Sequence, residues 1–234
     1  MTNTHIHKTF AAILFYSLFM ISCNNKSNPT NDKIQQNKNS TVKIGAQIWA
    51  TQNLDVTTFR NGDYIPEAKT NEEWRKAEKE KKPAWCYYNN DSDNGEKYGK
   101  LYNWYAVSDS RIIAPKGFHV PSIKEWESLV AYLGGTNTAD GKLTDAAGKK
   151  LKSKNGWSEE GNGTNESGFF GIPSGERYDF GSFEDIGYKA VWWSSTQQEV
   201  AIGLNNLIWY SDNYVNTDDT NGPGAGLSVR CIKD

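Results

Sequence analysis

The sequence predicts an α+β domain in which two main helices pack on small, mostly antiparallel sheets joined by long loops. Three observations predict it. The stretch GFHVPSIKEWESLVAYLGG, residues 117–135, carries the clearest amphipathic helix pattern in the chain. A second helix start, Thr70-Asn71-Glu72-Glu73, opens a charged run that Pro83 ends. The remaining apolar residues fall in short aromatic and β-branched runs separated by Gly, Asn and Asp, the pattern of short strands and turns.

The domain is not expected to begin at Met1. His5, His7 and Lys8 precede the apolar run FAAILFYSLFMI, which ends at Ser22-Cys23. A basic start, a short apolar core and a small residue before the cut make a secretory signal over 1–22, and the run is short for a membrane span. Met20-Ile21-Ser22-Cys23 resembles a bacterial lipobox, in which Cys23 becomes the lipidated first residue bearing palmitate-type chains. Residues 24–40 carry almost no apolar side chains and read, with Cys23, as a disordered tether over 23–40. As a flexible coil it spans about 20–25 Å, enough to lift a domain off a bilayer.

The folded domain is expected over 41–234. TVKIGAQIWATQNL reads as two short strands around Gly45-Ala46, with Ile44, Ile48 and Trp49 as core candidates. Asn61-Gly62-Asp63 is a turn. The charged helix near 71–82 has one large apolar residue, Trp74, so it lies on the surface. In PAWCYYNNDSDNGEKYGKLYNWYAV, residues 83–107, aromatics flank an Asn/Asp/Gly loop. The loop fails the EF-hand template, because with Gly95 as its glycine the closing acid falls on Leu101; a long turn with side-chain-capped amides is expected. Ser122 and Glu125 then form a capping box. Ile123, Trp126, Leu129, Val130 and Leu133 make one apolar face, and Gly134-Gly135 stop the helix near 122–134. A short helix follows near Thr144–Lys152. From Gly156 the chain is mostly glycine-punctuated loop, ending in a strand at Val191–Ser195. NLIWYSDNY and GLSVRCIKD are two further strands, with VNTDDTNGPGA as a turn-rich connection. Trp192 and Trp193 are neighbours in a strand, so only one of them can share a core with Trp126.

Composition limits function. With Lys8 removed, 25 basic side chains face 28 acidic ones, a net of −3, which argues against a nucleic-acid partner. Cys86 and Cys231 remain in an oxidising compartment. The alternatives are a disulfide, worth about 5 kcal/mol at most for so long a loop, or two separate buried thiols.

VKIGAQIWATQNL, PAWCYYNND…YGKLYNWYAV, GFHVPSIKEWESL, GYKAVWWSST and GLSVRCIKD together resemble the Fibrobacter succinogenes major paralogous domain, in that family's order and over nearly all of 41–234. The resemblance implies a domain of bacterial lipoproteins and exported proteins without established enzymatic activity. The helix motif and the WWSS and SVRC strands also look like the C-type-lectin-like fold of the sulfatase-modifying group, with its G-x-R-L-P-T-E-x-E-W-E pattern. Phe118-His119-Val120-Pro121-Ser122 and Glu125-Trp126-Glu127 fit it loosely, and His119 stands where an arginine is usual.

An enzyme is not expected. The sulfatase-modifying group uses a close cysteine pair with copper, whereas Cys86 and Cys231 are far apart in sequence. His119 is the one histidine of the mature chain, which excludes a multi-histidine metal centre and leaves it alone to serve a triad. The pairs Glu159-Glu160, Glu184-Asp185 and Asp218-Asp219 sit in glycine-rich loops, where acidic pairs are solvated. The expected function is a non-catalytic envelope module, an outer-membrane lipoprotein facing the periplasm or the outside, that binds glycan or protein through its loops. The candidate surface combines Trp209, Tyr210, Asp212, Asn213 and Tyr214 with Tyr178, Asp179 and Glu184. Aromatics stack on sugar faces and Asn/Asp bond hydroxyls. No cofactor is required, though calcium could join through Asp212, Asp218 and Asp219. The alternative is a structural or adhesion component without a small ligand.

Overall fold

The computed structural model describes residues 40–135, 146–199 and 202–234, without the side chains of Glu199 and Asp218. The expected signal, Cys23 and all of the tether but Ser40 lie outside these residues, as do Thr144 and Asp145 of the short helix.

The chain opens with the expected hairpin, β1 (Thr41–Ile44) and β2 (Gln47–Ala50), turning at Gly45 with φ +61. Next comes α1 (Asn71–Lys79). Thr70 and Glu73 close a capping box at its start, and Trp74 is its one buried residue. The Trp74 indole N–H donates to the Gly224 carbonyl at 2.8 Å, pinning the charged helix to the distant C-terminal region.

After β3 (Trp85–Cys86), the stretch expected to be a long turn contains a helix, α2 (Ser92–Tyr98), capped by the Asp91 side chain. SDNGEKY has poor helix propensity, so pattern alone points away from a helix. Burial of Gly95 and Tyr98 decides it: a Cβ on Gly95 would stand 2.2 Å from the Tyr87 ring. Then follow β4 (Leu101–Tyr102), the single turn α3 (Trp104–Val107) and β5 (Phe118–His119). The main helix, α4 (Ile123–Tyr132), has the Ser122/Glu125 capping box and buries Ile123, Trp126, Leu129 and Val130. The shorter α5 spans Ala146–Leu151.

The glycine-rich region hides a hairpin of β6 (Ser174–Arg177) and β7 (Phe183–Ile186). Its first strand reads Ser-Gly-Glu-Arg, yet all four residues are buried, so hydrophobic alternation could not reveal it. The longest strands, β8 (Lys189–Glu199) and β9 (Ile202–Trp209), pair antiparallel. The connection expected to be turns forms β10 (Asn216–Asn221) on the far edge of β9. The chain ends with β11 (Ile232–Lys233).

Among the described residues the sheets are small and antiparallel, in the orders β1-β2-β11-β5, β10-β9-β8, β3-β4 and β6-β7. The expected third strand, GLSVRCIKD, is mostly not a ladder strand. It threads between sheets instead. Gly226 exchanges backbone hydrogen bonds with Arg177, Leu227 with Tyr102, and the Ser228 and Val229 carbonyls accept from Trp193 and Leu54. Residues 225–232 are buried throughout.

The β8–β9 ladder splits the core as strand alternation requires. Trp192 faces Trp49, Trp126 and Phe169, with its ring stacked on Trp126 at 5.6 Å. Trp193 faces the other way, against Trp104 at 5.2 Å. A third, smaller cluster lies under α1 around Trp74, Tyr88 and Leu101. Cys86 belongs to this third cluster and Cys231 to the Trp193 cluster, and both thiols are free. Of the two expected alternatives, the structure has two separate buried thiols, packed in different clusters. No helix among the described residues is long and apolar enough to cross a membrane.

Candidate functional site at the hairpin tip

Two buried arginines, unexpected from sequence, set the frame. Arg230 is fully buried. Its guanidinium donates to Asn53 Oδ1 and to the carbonyls of Ala50, Phe169 and Phe170, and lies 4.4 Å from the Phe169 ring centroid. Burial pulls its pKa down to about 9, so it stays charged at neutral pH. Arg177, at the end of β6, donates to the carbonyls of Gly181, Ala68 and Thr70 and to Asn71 Oδ1, and sits between the rings of Trp74 and Phe183. Arg177 thereby ties the β6–β7 turn to the start of α1.

That turn carries an aromatic pair. Tyr178 and Phe180 lie parallel, 7° apart with ring centroids at 5.3 Å, and Phe180 is 58% exposed. Gly181 closes the turn at φ +104, where a Cβ would stand 2.7 Å from the Asn71 side chain. Asp179 accepts from the Phe180 N–H at 2.7 Å. Glu78 of α1 faces the same turn, its pKa raised first by burial and then by the Asp179 charge. Glu184 on β7 belongs here too: burial raises the Tyr178 phenol, and Glu176, Asp185 and Glu184 add to it. The structure thus groups Tyr178, Asp179 and Glu184 as expected, and adds Phe180 and Glu78. Phe180 was legible only as one aromatic among many, because its exposure depends on a hairpin that hydrophobic alternation did not reveal.

The other half of the expected surface divides. Trp209 and Tyr210 are successive residues at the end of β9, so they point to opposite faces. Trp209 packs half-buried against the Trp193 cluster, with the Lys189 ammonium 5.2 Å from its ring. Lys189 in turn pairs with buried Glu176 at 2.5 Å. Burial raises the Glu176 pKa, and Lys189 opposes it. Tyr210 packs on the Trp126 side and meets Tyr188 edge-on at 5.2 Å. The Tyr210 carbonyl accepts from Lys152 Nζ at 2.8 Å. Burial lowers the Lys152 pKa to about 8, with Asp212 acting against that shift. Asn213 is exposed but its carbonyl accepts from the Gly148 N–H, and Tyr214 is half-buried. Trp209–Tyr214 therefore does not present one continuous face.

Asp212 stands by Lys152, whereas Asp219 lies opposite Asn205 on β10 and its charge reaches Glu176. The Asp218 side chain is outside the described ones. Among the described residues no three His, Cys, Asp or Glu side chains are grouped to hold a metal ion.

His119 is bolted in place. Its Nδ1 lies 2.9 Å from Asp234 Oδ1 and its Nε2 2.8 Å from Glu125 Oε1. The Ser122 hydroxyl donates to Glu125 Oε2, not to the imidazole. Burial raises the thiol pKa of Cys86 to about 11 and of Cys231 to about 12, which keeps both protonated and poor nucleophiles.

Searches among curated proteins and among solved structures each return no match. The family model described as the Fibrobacter succinogenes major domain matches residues 42–233, which spans the hairpin, both capped helices and the buried C-terminal segment. On that match the chain belongs to the Fibrobacter succinogenes major domain family.

Proposed function

We propose that this domain is a non-catalytic binding module of the cell envelope that takes glycan or protein ligands through the loops of a C-type-lectin-like fold. One observation carries the reading: exposed Phe180, its ring parallel to that of half-buried Tyr178, stands on a turn fixed from below by Arg177 and flanked by the carboxylates of Asp179 and Glu78. Flat aromatic faces stack on the apolar faces of sugar rings, and carboxylates accept from hydroxyls. A rigid platform also lowers the ordering cost of binding. Glycan is the ligand class that this chemistry favours. Two capped helices packed on small antiparallel sheets, with function on long loops, support the lectin-like arrangement.

The test is a glycan array probed with the full chain, with and without calcium, followed by Phe180→Ala and Asp179→Asn. A specific hit lost in Phe180→Ala supports the module. An empty array, or a hit untouched by both substitutions, refutes the platform and leaves protein contacts or a structural role.

The lipobox-like ending at Cys23 supports an outer-membrane lipoprotein anchored through an acylated Cys23. The partner membrane is reached through the lipid and the 24–40 tether. Cys23→Ala is expected to release the protein from membranes or block processing, as read by fractionation. Normal processing with retained membrane binding would remove the anchor.

A further inference from the structure

A second site lies away from the hairpin tip. Edge strand β1, the last turn of α4, α5 and the loop after it border an open groove of about 480 Å³. Strand alternation puts Lys43 on its rim while Ile44 turns inward to the core. Tyr132, the last residue of α4, is 65% exposed. Its ring lies on the bare backbone of Gly45: a Cβ there would stand 2.9 Å from ring Cδ2, and φ of +61 already favours glycine. One side of the ring is thus braced while most of its surface stays in solvent.

Lys150 and Ser167 are held in place as well. Lys150 Nζ donates to the Leu133 carbonyl, one of the open carbonyls at the end of α4, at 3.1 Å. The Ser167 hydroxyl donates to the Lys150 carbonyl at 2.8 Å and accepts from the Phe169 N–H at 3.1 Å, which anchors the loop bearing Glu166. Two lysines against one glutamate leave the lining at +1.

We propose that this groove binds a carboxylate-bearing sugar, the hexuronate units of an acidic polysaccharide. The Tyr132 ring receives the apolar face of the pyranose. The Lys43 and Lys150 ammonium groups receive its carboxylate, and Glu166 accepts from its hydroxyls. A single carboxylate matches the net +1, whereas a phosphate dianion exceeds it and meets Glu166. The inference shares glycan chemistry with the proposed function but uses none of the same residues.

Calorimetric titration of the full chain with trigalacturonate and with the neutral galactose trisaccharide of the same linkage tests it. The acidic trisaccharide is expected to bind at least about tenfold more tightly, the scale of two partly exposed charge contacts. Added salt should erase that margin. Lys43→Gln should reduce it, Tyr132→Ala should weaken binding of both sugars, and Phe180→Ala should change neither. Lys43 and Tyr132 are both exposed, so their variants are expected to keep the parent melting curve. Equal affinity for the two sugars, no binding of trigalacturonate, or loss through Phe180→Ala with Lys43→Gln silent would each overturn the groove assignment. The last outcome would instead return the acidic ligand to the hairpin tip.

Discussion

Trp126 touches Trp49 at 4.8 Å, Phe169 at 5.7 Å and Trp192 at 5.6 Å, with no exposed surface. Trp126→Ala should therefore cost about 3–5 kcal/mol through lost contacts and a residual cavity. A domain of this size is commonly only about 5–15 kcal/mol stable. Trp209 is half-buried and packs at the edge of its cluster, so Trp209→Ala should lower the melting temperature clearly less than Trp126→Ala. Equal losses in thermal melts would make both residues core. His119 makes a separate prediction. Partial burial opposes its charge, but the bonds to Glu125 and Asp234 prevail and raise its pKa. A raised folded pKa gives stability that is complete below the unfolded value of about 6.5 and is lost as pH rises through the folded one. Burial opposes ionisation of Glu125, yet Ser122 and His119 hold its pKa lowered. Its share is present above the unfolded value of about 4.3 and fades as pH falls through the folded one. The pair is thus most favourable between those limits. Melting temperatures measured across neutral pH should fall with rising pH in the parent and fall less in His119→Asn; parallel profiles would show that the pair carries no linkage.

At the scale of elements, both helices rest on reciprocal caps. The Ser122 hydroxyl and Glu125 carboxylate, and likewise Thr70 and Glu73, each satisfy an amide at a helix start. Removing either hydroxyl should cost about 1 kcal/mol. Ser122→Ala should cost more than Thr70→Ala, because Glu125 also holds His119 and through it the C-terminus, whereas the Thr70 box is exposed. Denaturant midpoints measured side by side check the order, and the reverse order would mean that the histidine bridge adds nothing. The capping boxes and the apolar stripe of α4 could be read directly, since both depend on residues close in sequence. Helix α2 and strands β6 and β10 could not. SDNGEKY, SGER and NTDDTN carry no apolar periodicity, and their conformations come from partners elsewhere, Tyr87 for Gly95 and β9 for β10.

For the molecule as a whole, the last nine residues are the keystone. The segment from Gly226 meets β6, β4, β8, the Asn53–Leu54 turn and β2 in succession. Arg230 adds a buried charge whose acceptors come from two separated stretches, Ala50 and Asn53 in one and Phe169-Phe170 in the other. Deleting residues 226–234 should abolish cooperative unfolding, because it leaves buried backbone groups in each of these elements unpaired. A truncated chain that still melts in one sharp transition would show that the small sheets hold together without it. The same segment explains why the sheets remain small: each meets the next through single bridges on one shared strand rather than by extending a ladder.

Sequence alone determined what is local. It set the two capped helices, the β1–β2 hairpin, the opposite facing of Trp192 and Trp193, and the family, because caps, periodicity and motif order are written in neighbouring residues. Tertiary structure alone decided the burial of Arg177 and Arg230, the separation of Cys86 from Cys231, and the division of the aromatic surface. Whether an arginine faces water or a ring of carbonyls depends on atoms a hundred residues away. Trp209 and Tyr210 illustrate the same limit. Their alternation was legible, but that both sides of the strand would be core, Trp209 on the Trp193 cluster and Tyr210 on the Trp126 cluster, was fixed only by the packing of distant elements on each face.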